Sequence, residues 1–439
     1  MDERSDDVLF PNGDGENRSA GVSRRTMLAG SAAAGAAAAG CANSGSSEGD
    51  SGGSDDSGGS SGDDGVTEAD SVFVFNTGDR TVSVVDATDD AVVATRQLSL
   101  TASFPSNQYA PGITEEPSDP LWLNVDEGVR AVEVGSLSEV ASVDTGSGAN
   151  WQELTPDGKH LVVSAREPSH EQYRIDADPA SDTFGEVTAR IDRADEGGRG
   201  DREGPGPGPC DVTIHPDGEY AYVPDLYGDT LTVLDVESFE IATQVAVDPV
   251  EEGTPPAPWM GTAAMDGETL LIENNEGETG TESIWDVSDP ETPREVARLT
   301  SDDGLGHLPL TSEIGPDGDI GYVFTPDTED VSVIDVEGEA VAKRLDLGGQ
   351  AFVGTWGPAH EKLYVPVQTS DEVAVVDHEA REVTERIEVG PDPYGATAAG
   401  IRPAGSGSGN RLKRLATLAV DSDSGTSYCI GECACGHDW

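Results

Sequence analysis

The feature that most constrains this chain is a repeat that begins at Val72. Its clearest copies read VFVFNTGDRTVSVVD ending at Asp86, AYVPDLYGDTLTVLD ending at Asp235, GYVFTPDTEDVSVID ending at Asp335 and LYVPVQTSDEVAVVD ending at Asp377. Each is an alternating apolar run, a polar turn, a second alternating run, and then a third such as IATQV or VTERIEV. Alternation with a period of two marks half-buried antiparallel strands and excludes helices. Upstream of most copies, a further run ends in a Pro-Asp-Gly turn, at Pro156-Asp157-Gly158, Pro216-Asp217-Gly218 and Pro316-Asp317-Gly318. Met265-Asp266-Gly267 and Gly357-Pro358-Ala359 are degenerate versions. Aspartate before glycine is ordinary turn chemistry, so these triplets read as structural.

Counting the upstream run as the first strand, an acid closes the third strand of each unit, at Asp86, Glu133, Asp176, Asp235, Asp286, Asp335 and Asp377, with spacings of 42 to 59 residues. Four strands per unit of this length make the blade of a β-propeller. The expectation is therefore an all-β fold, a single seven-bladed β-propeller of four-stranded blades. Six and eight blades are the alternatives, because the second and third units are degenerate. The first unit begins at its second strand, whereas Tyr394–Ile401 reads as an inner strand with no blade after it. The C-terminal strand is thus predicted to complete the first blade and close the ring.

The copies at 72–98, 222–247, 322–347 and 364–390 resemble the YVTN family of propeller repeats, whose pattern is close to YVTNxxDNTVSVIDTATNTVVATIPVG. The resemblance spans roughly 70–402. It implies the architecture and leaves function open, since related propellers serve as surface proteins, lactonases and haem d1 or quinone-type oxidoreductase subunits. Sites grafted onto the fold decide function.

Outside the repeat, residues 22–41 read VSRRTMLAGSAAAGAAAAGC. Arg24 and Arg25 form a twin-arginine pair, and the apolar run that follows is too short to span a membrane, so residues 1–40 read as a twin-arginine signal peptide. Ala38-Ala39-Gly40-Cys41 looks like a lipobox with Cys41 as the lipidated residue; cleavage after small residues with Cys41 incidental is the plainer reading. Residues 41–69 are a disordered Ser/Gly/Asp tether, with no side chains able to build a core. The propeller is expected over 70–403, and 404–439 form a linker and Cys/His-rich tail. These signals place the protein outside the cell, anchored to the outer face of the membrane by lipid.

Composition narrows the environment. The chain has 85 acidic and 25 basic residues, a net charge of -60. Such a surface repels nucleic acid and anionic headgroups. It is compatible with molar salt, where the Debye length falls to ~3 Å and self-repulsion is screened. In this the chain resembles haloarchaeal proteins.

Long insertions are expected in the loops that lead into inner strands, at 101–118, 191–209, 247–258 and 301–309, all on one face of the ring. Loops on a rigid scaffold commonly carry recognition, and this face is the predicted binding surface. Trp151, Trp259, Trp356 and Tyr394 lie at or near inner strands and are channel-face candidates, with packing between blades as the structural alternative. His307, in the leading loop Gly304–Pro309, is the candidate for a ligand or acid–base role. The remaining histidines read as surface or loop residues.

In the tail, Cys429, Cys433, Cys435 and His437 are four soft ligands within nine residues, suited to zinc or copper. The Cys429-x3-Cys433-x3-His437 spacing looks like part of a binuclear copper-A loop, but no cupredoxin sequence accompanies it and no such centre is assigned. Disulfide pairing, with Cys210 as one partner, is the competing reading, as extracellular cysteines usually pair.

Three functions follow. The first is a non-enzymatic, lipid-anchored propeller that binds a protein or cell-surface partner through its loop-rich face. The second is an exported redox enzyme or electron-transfer subunit with metal on the Cys/His tail. The third is a lactonase-like hydrolase. A channel lined only by small apolar side chains would remove both enzyme readings, whereas three or more convergent polar side chains would keep them.

Overall fold

The computed structural model describes residues 67–98, 114–125, 128–146, 151–166, 168–199 and 206–403. Arg24, Arg25, Cys41 and the tail residues Cys429, Cys433, Cys435 and His437 lie outside the described residues.

Seven antiparallel sheets make the seven blades, six of them four-stranded. The third strand of every blade ends on one of the seven acids that marked the repeat. Blade 2 shows three strands among the described residues, Pro120–Val125, Gly128–Glu133 and Glu139–Asp144. The inner strands of blades 3 to 7 are Trp151–Leu154, Thr213–Ile214, Pro258–Ala263, Thr311–Ile314 and Thr355–Trp356. Blade 1 is assembled from both ends of the repeat region. Its inner strand, Pro393–Arg402, lies antiparallel to Thr67–Asn76, with Phe73 opposite Thr397. The predicted ring closure is therefore present, and the first strand starts at Thr67, just ahead of the boundary read from sequence.

The repeat's polar positions are explained by turns and seams. The marker acid accepts a backbone N–H in the next turn: Asp286 from Ser288 at 3.1 Å, Asp335 from Gly338 at 3.0 Å, Asp377 from Ala380 at 2.7 Å. This is the Asx-turn geometry that favours aspartate there. At the end of the second strand, Asn76 and Asn274 donate to Ser83 and Ser283 at 3.0 and 2.7 Å, tying the following hairpin. Tyrosine in the second strand reaches the next blade: Tyr322 Oη bonds His378 Nδ1 at 2.8 Å, and Tyr364 Oη donates to Asp90 at 2.7 Å. In the Pro-Asp-Gly turns, Gly158, Gly218, Gly267 and Gly318 take positive φ; in blade 7, His360 takes that place with φ 54°.

The core is distributed. Each of the seven seams between neighbouring blades holds one apolar cluster, such as Phe73, Phe75 and Val82 against Leu121 and Leu123 between blades 1 and 2. Burying a Phe or Val of this kind stabilises by about 1.5–3 kcal/mol. An eighth cluster lies under the leading loops and belongs to no single seam.

Candidate functional site: the loop face and the channel beneath it

In blades 4, 5 and 7 the leading loop pairs with the second-to-third-strand turn of its own blade: Leu226 N bonds Gly208 O, Asn275 N bonds Ala257 O and Gln368 N bonds Gln350 O, whereas the loop before blade 6 reaches the turn of blade 5, Leu308 N bonding Thr279 O, all at 2.8–2.9 Å. Among the described residues the insertions expected on one face are there in blades 4, 5 and 6, and they are tied down; residues 101–113 of the expected 101–118 insertion and 200–205 lie outside the described residues. In the insertion before blade 4, Arg193 is fully buried and forms a two-pronged pair with Asp225, at 2.7 and 2.8 Å, while also holding Glu196. A bidentate arginine–carboxylate pair of this kind fixes geometry as well as charge. The Coulomb field of Asp225, with the bonds to Glu196 and Asp225, outweighs burial and holds the Arg193 guanidinium protonated. Arg199 further along binds Asp229 at 2.9 Å. Before blade 6, Thr300 and Asp303 cap a short 3-10 turn, Ser301–Asp303, and Gly306 N bonds Ser332 Oγ at 2.9 Å.

The predicted residues divide. His307 is exposed on this face, and its backbone N–H donates to Thr328 Oγ1 at 3.1 Å. Trp259 and Tyr394 are fully buried in the cluster under the loops, with Met260, Leu308, Leu310 and Phe352; Trp259 Nε1 donates to Pro309 O at 3.0 Å, and Tyr394 stacks on Phe352. This cluster draws on blades 4, 5, 6, 7 and 1 and plugs the loop-face end of the channel. Trp151 is half-buried against the plug and lines the cavity below it. Trp356 sits in the blade 6–7 seam, edge-on to Tyr322 and His378. Cys210 is fully buried and receives Arg166 Nη1 at 3.2 Å. The histidines read as surface or loop residues differ: His170 and His215 are buried, and His160, His360 and His378 are half-buried, the last against Tyr322.

Below the plug is a cavity of ≈ 10 Å³, room for about one water, lined by Asp211, Thr262, Thr311, Ser312, Glu313 and Thr355 among others. Polar side chains therefore converge on the channel, and it is not the purely apolar tube that would have removed the enzyme readings. Most of these groups are committed to neighbouring inner strands. Glu153 Oε2 accepts Ile214 N at 3.1 Å, and Asp211 accepts Val212 N and Gly261 N, both at 2.7 Å. Thr262 Oγ1 donates to Ser312 O at 2.8 Å, and Thr311 Oγ1 to Phe352 O at 2.6 Å. The result is a belt of side-chain-to-backbone bonds passing from blade to blade around the channel. Burial pushes the Glu153 carboxyl up to about 8 and the Asp211 carboxyl well above the usual range, the charges of Glu273 and Glu153 adding to the latter.

The buried acids Glu153, Asp211, Glu273, Glu282 and Glu313 were not singled out by sequence reasoning. The available signal was alignment of the repeat with itself: Glu273 and Glu282 stand where other blades carry Phe75 and Val82 or Phe324 and Val331. Among the described residues, no three His, Cys, Asp or Glu side chains are grouped to hold a metal ion.

No protein-family profile and no curated protein matches the chain. Solved structures do. A protein from Lactobacillus plantarum superposes with a TM-score of 0.59 at 13% identity, covering 75% of this chain and 99% of that one. The periplasmic gluconolactonase of Pseudomonas aeruginosa gives 0.56 at 16%, with 75% and 99% covered. Kuenenia stuttgartiensis hydrazine synthase gives 0.54 at 16%, with 71% and 94% covered. At such identities the likeness shows the propeller fold alone.

Proposed function

We propose that the protein is a YVTN-type propeller of the haloarchaeal kind, exported by the twin-arginine route and held by lipid at Cys41, which binds a protein or cell-surface partner through the loop face. The observation that carries this reading is the contrast between that face and the channel. The loops are long and pinned by backbone bonds and buried ion pairs, so little ordering entropy is lost when a partner docks. The channel beneath them is plugged by aromatic side chains, and the cavity lined by Asp211, Ser312 and Glu313 holds ≈ 10 Å³, far below the ~300–1,000 Å³ of typical small-molecule sites. The rim displays Glu251, Glu252, Glu278, Asp302, Asp303 and the His307 ring, all exposed. A matching partner is cationic or approaches through bound cations.

Cross-linking on intact source cells in molar salt tests this. The wild-type chain should give a discrete cross-linked product that is lost when 248–254 and 301–304 are replaced by Gly/Ser segments of equal length. A control variant altered at Asp217 and Glu219, in the turn at the other end of blade 4, should retain it. The same product from all three proteins, or from none, defeats the proposal.

A second reading, a lactonase-like hydrolase, draws support from the carboxylates of Asp211 and Glu313 on the channel cavity and from the fold shared with a gluconolactonase. Lactone turnover that disappears in Asp211→Asn and Glu313→Gln would favour it. The redox reading rests on the Cys/His tail. A stoichiometric chromophore, zinc or copper in the purified chain would favour that one.

A further inference from the structure

Blade 5 carries an anomaly that the belt around the channel does not use. Glu273 and Glu282 face each other directly across the second and third strands, Thr269–Asn274 and Thr281–Asp286. Both are fully buried. Along the same row the flanking strands present Met260 beside Glu273 and Leu299 beside Glu282, so the blade offers them no polar partner. None of their four carboxylate oxygens makes a hydrogen bond of normal geometry. The equivalent pairs are Phe75–Val82, Pro224–Leu231, Phe324–Val331 and Pro366–Val373 in blades 1, 4, 6 and 7, and Asn124–Val129 and Ser164–Gln172 in blades 2 and 3, so blade 5 alone sets two acids there. An uncompensated buried carboxylate is strongly unfavourable, and two opposite each other repel as well.

A second observation comes from the neighbouring blade. Ser312, on the inner strand of blade 6, is almost fully buried, and its Oγ likewise lacks a hydrogen-bond partner of normal geometry. It lies close enough to Glu273 to favour that carboxylate's charged form. The same seam packs Leu271 and Ile284 of blade 5 against Ile314 of blade 6, and period-two alternation puts Glu273, Glu282 and Ser312 on these same faces of their strands. Arg298 lies within Coulomb reach of Glu282, but its guanidinium is already engaged by Glu276 at 2.8 Å and by Glu295 at 2.8 and 3.0 Å.

We propose that Glu273, Glu282 and Ser312 Oγ form a site for a hard divalent cation of the calcium type, locking blade 5 to blade 6. Two carboxylates balance a double positive charge. Five oxygens from two blades suit the high and flexible coordination number of calcium better than the strict octahedron of magnesium. Protons compete with the cation for the two carboxylates, but only a cation draws both carboxylates and Ser312 Oγ onto one centre. Burial pushes Glu273 up to about 8, and burial with the Glu273 charge pushes Glu282 well above the usual carboxylate range; calcium entry therefore displaces protons and strengthens as pH rises.

The test uses the full chain, stripped with EGTA, in molar KCl that swamps diffuse binding to the acidic surface. Wild type should bind one Ca²⁺ more per chain than Glu273→Gln/Glu282→Gln in equilibrium dialysis. Its Tm should rise by about 4 °C at a hundredfold excess over the dissociation constant, with no such rise in the variant. Ser312→Ala should weaken calcium binding roughly tenfold, the equivalent of about 1.4 kcal/mol, and it reads the site even if the double variant fails to fold. Equal stoichiometry and equal Tm response in wild type and double variant overturn the proposal. So does unchanged affinity in Ser312→Ala. A wild-type Tm that ignores calcium overturns it too.

Discussion

Blades 5 and 6 share a strand plan and differ in what the plan buries. Blade 6 places Phe324 opposite Val331 at the position where blade 5 places Glu273 opposite Glu282. One pair fills its seam with hydrocarbon; the other introduces two carboxyls into the same kind of space. The lesson is that a repeat specifies the frame through its turn and seam residues, and leaves other buried positions free to carry chemistry. Asn274 in blade 5 still ties its hairpin as Asn76 does in blade 1, although the residue before it has changed from Phe75 to Glu273.

The comparison predicts graded effects. The largest is Phe324→Ala, which should destabilise by about 3–5 kcal/mol in chemical denaturation in molar salt, since it empties a packed seam. A loss under 1 kcal/mol would mean that blade 6 is not held by this pair. Glu273→Leu with Glu282→Val gives blade 5 the apolar character of its neighbour. In calcium-free molar salt it should gain about 1–4 kcal/mol, as replacement of buried charged groups by hydrocarbon often does. A net loss there would show the acids to be stabilising on their own.

Next is the dependence on pH at constant molar salt. Glu153 and Glu273 titrate near 8 in the folded chain and near the ordinary carboxylate value when unfolded. Between these values the folded state holds more protons. These groups therefore favour folding most at and below about pH 4.5, and that contribution is lost as pH climbs towards 8, on the order of a few kcal/mol for each. Glu153→Gln should flatten part of the slope in thermal melts from about pH 5 to 9; an unchanged slope would place the titration elsewhere. Asn274→Ala should lose about 1 kcal/mol, the size of a buried hydrogen bond. At the bottom of the scale, Lys159→Ala breaks a 2.7 Å ion pair with Asp157 on open surface and should leave Tm unchanged in molar salt.

The architecture was legible because its signals are local and recur. Alternation, Pro-Asp-Gly turns and the acids at the third-strand ends each report backbone geometry within a few residues, and seven copies reinforce one another. Ring closure was legible because the first unit lacked an inner strand and the last residues supplied one. The site was harder to read. His307 could be placed on a leading loop, but Trp259, Tyr394 and Trp356 could not be separated by sequence into plug and seam, since that depends on how blades turn against each other. The buried acids were hidden by composition: among 85 acidic residues, Glu153, Asp211, Glu273, Glu282 and Glu313 carry no local mark. Only placing LLIEN over VFVFN shows that Glu273 occupies a phenylalanine's position.

Blade 1 has a consequence for the timing of synthesis. Phe73 finds its inner neighbour in Thr397, 324 positions later in the chain. A nascent chain can form six blades in order as they emerge, yet its first blade stays open on the inner side until residues 393–402 have left the ribosome. A stop codon or protease cut just ahead of Pro393 would thus damage the beginning of the structure, leaving the edge of Thr67–Asn76 exposed as a template for another chain's strand. The last ten residues of the ring act as the signal that the molecule is finished.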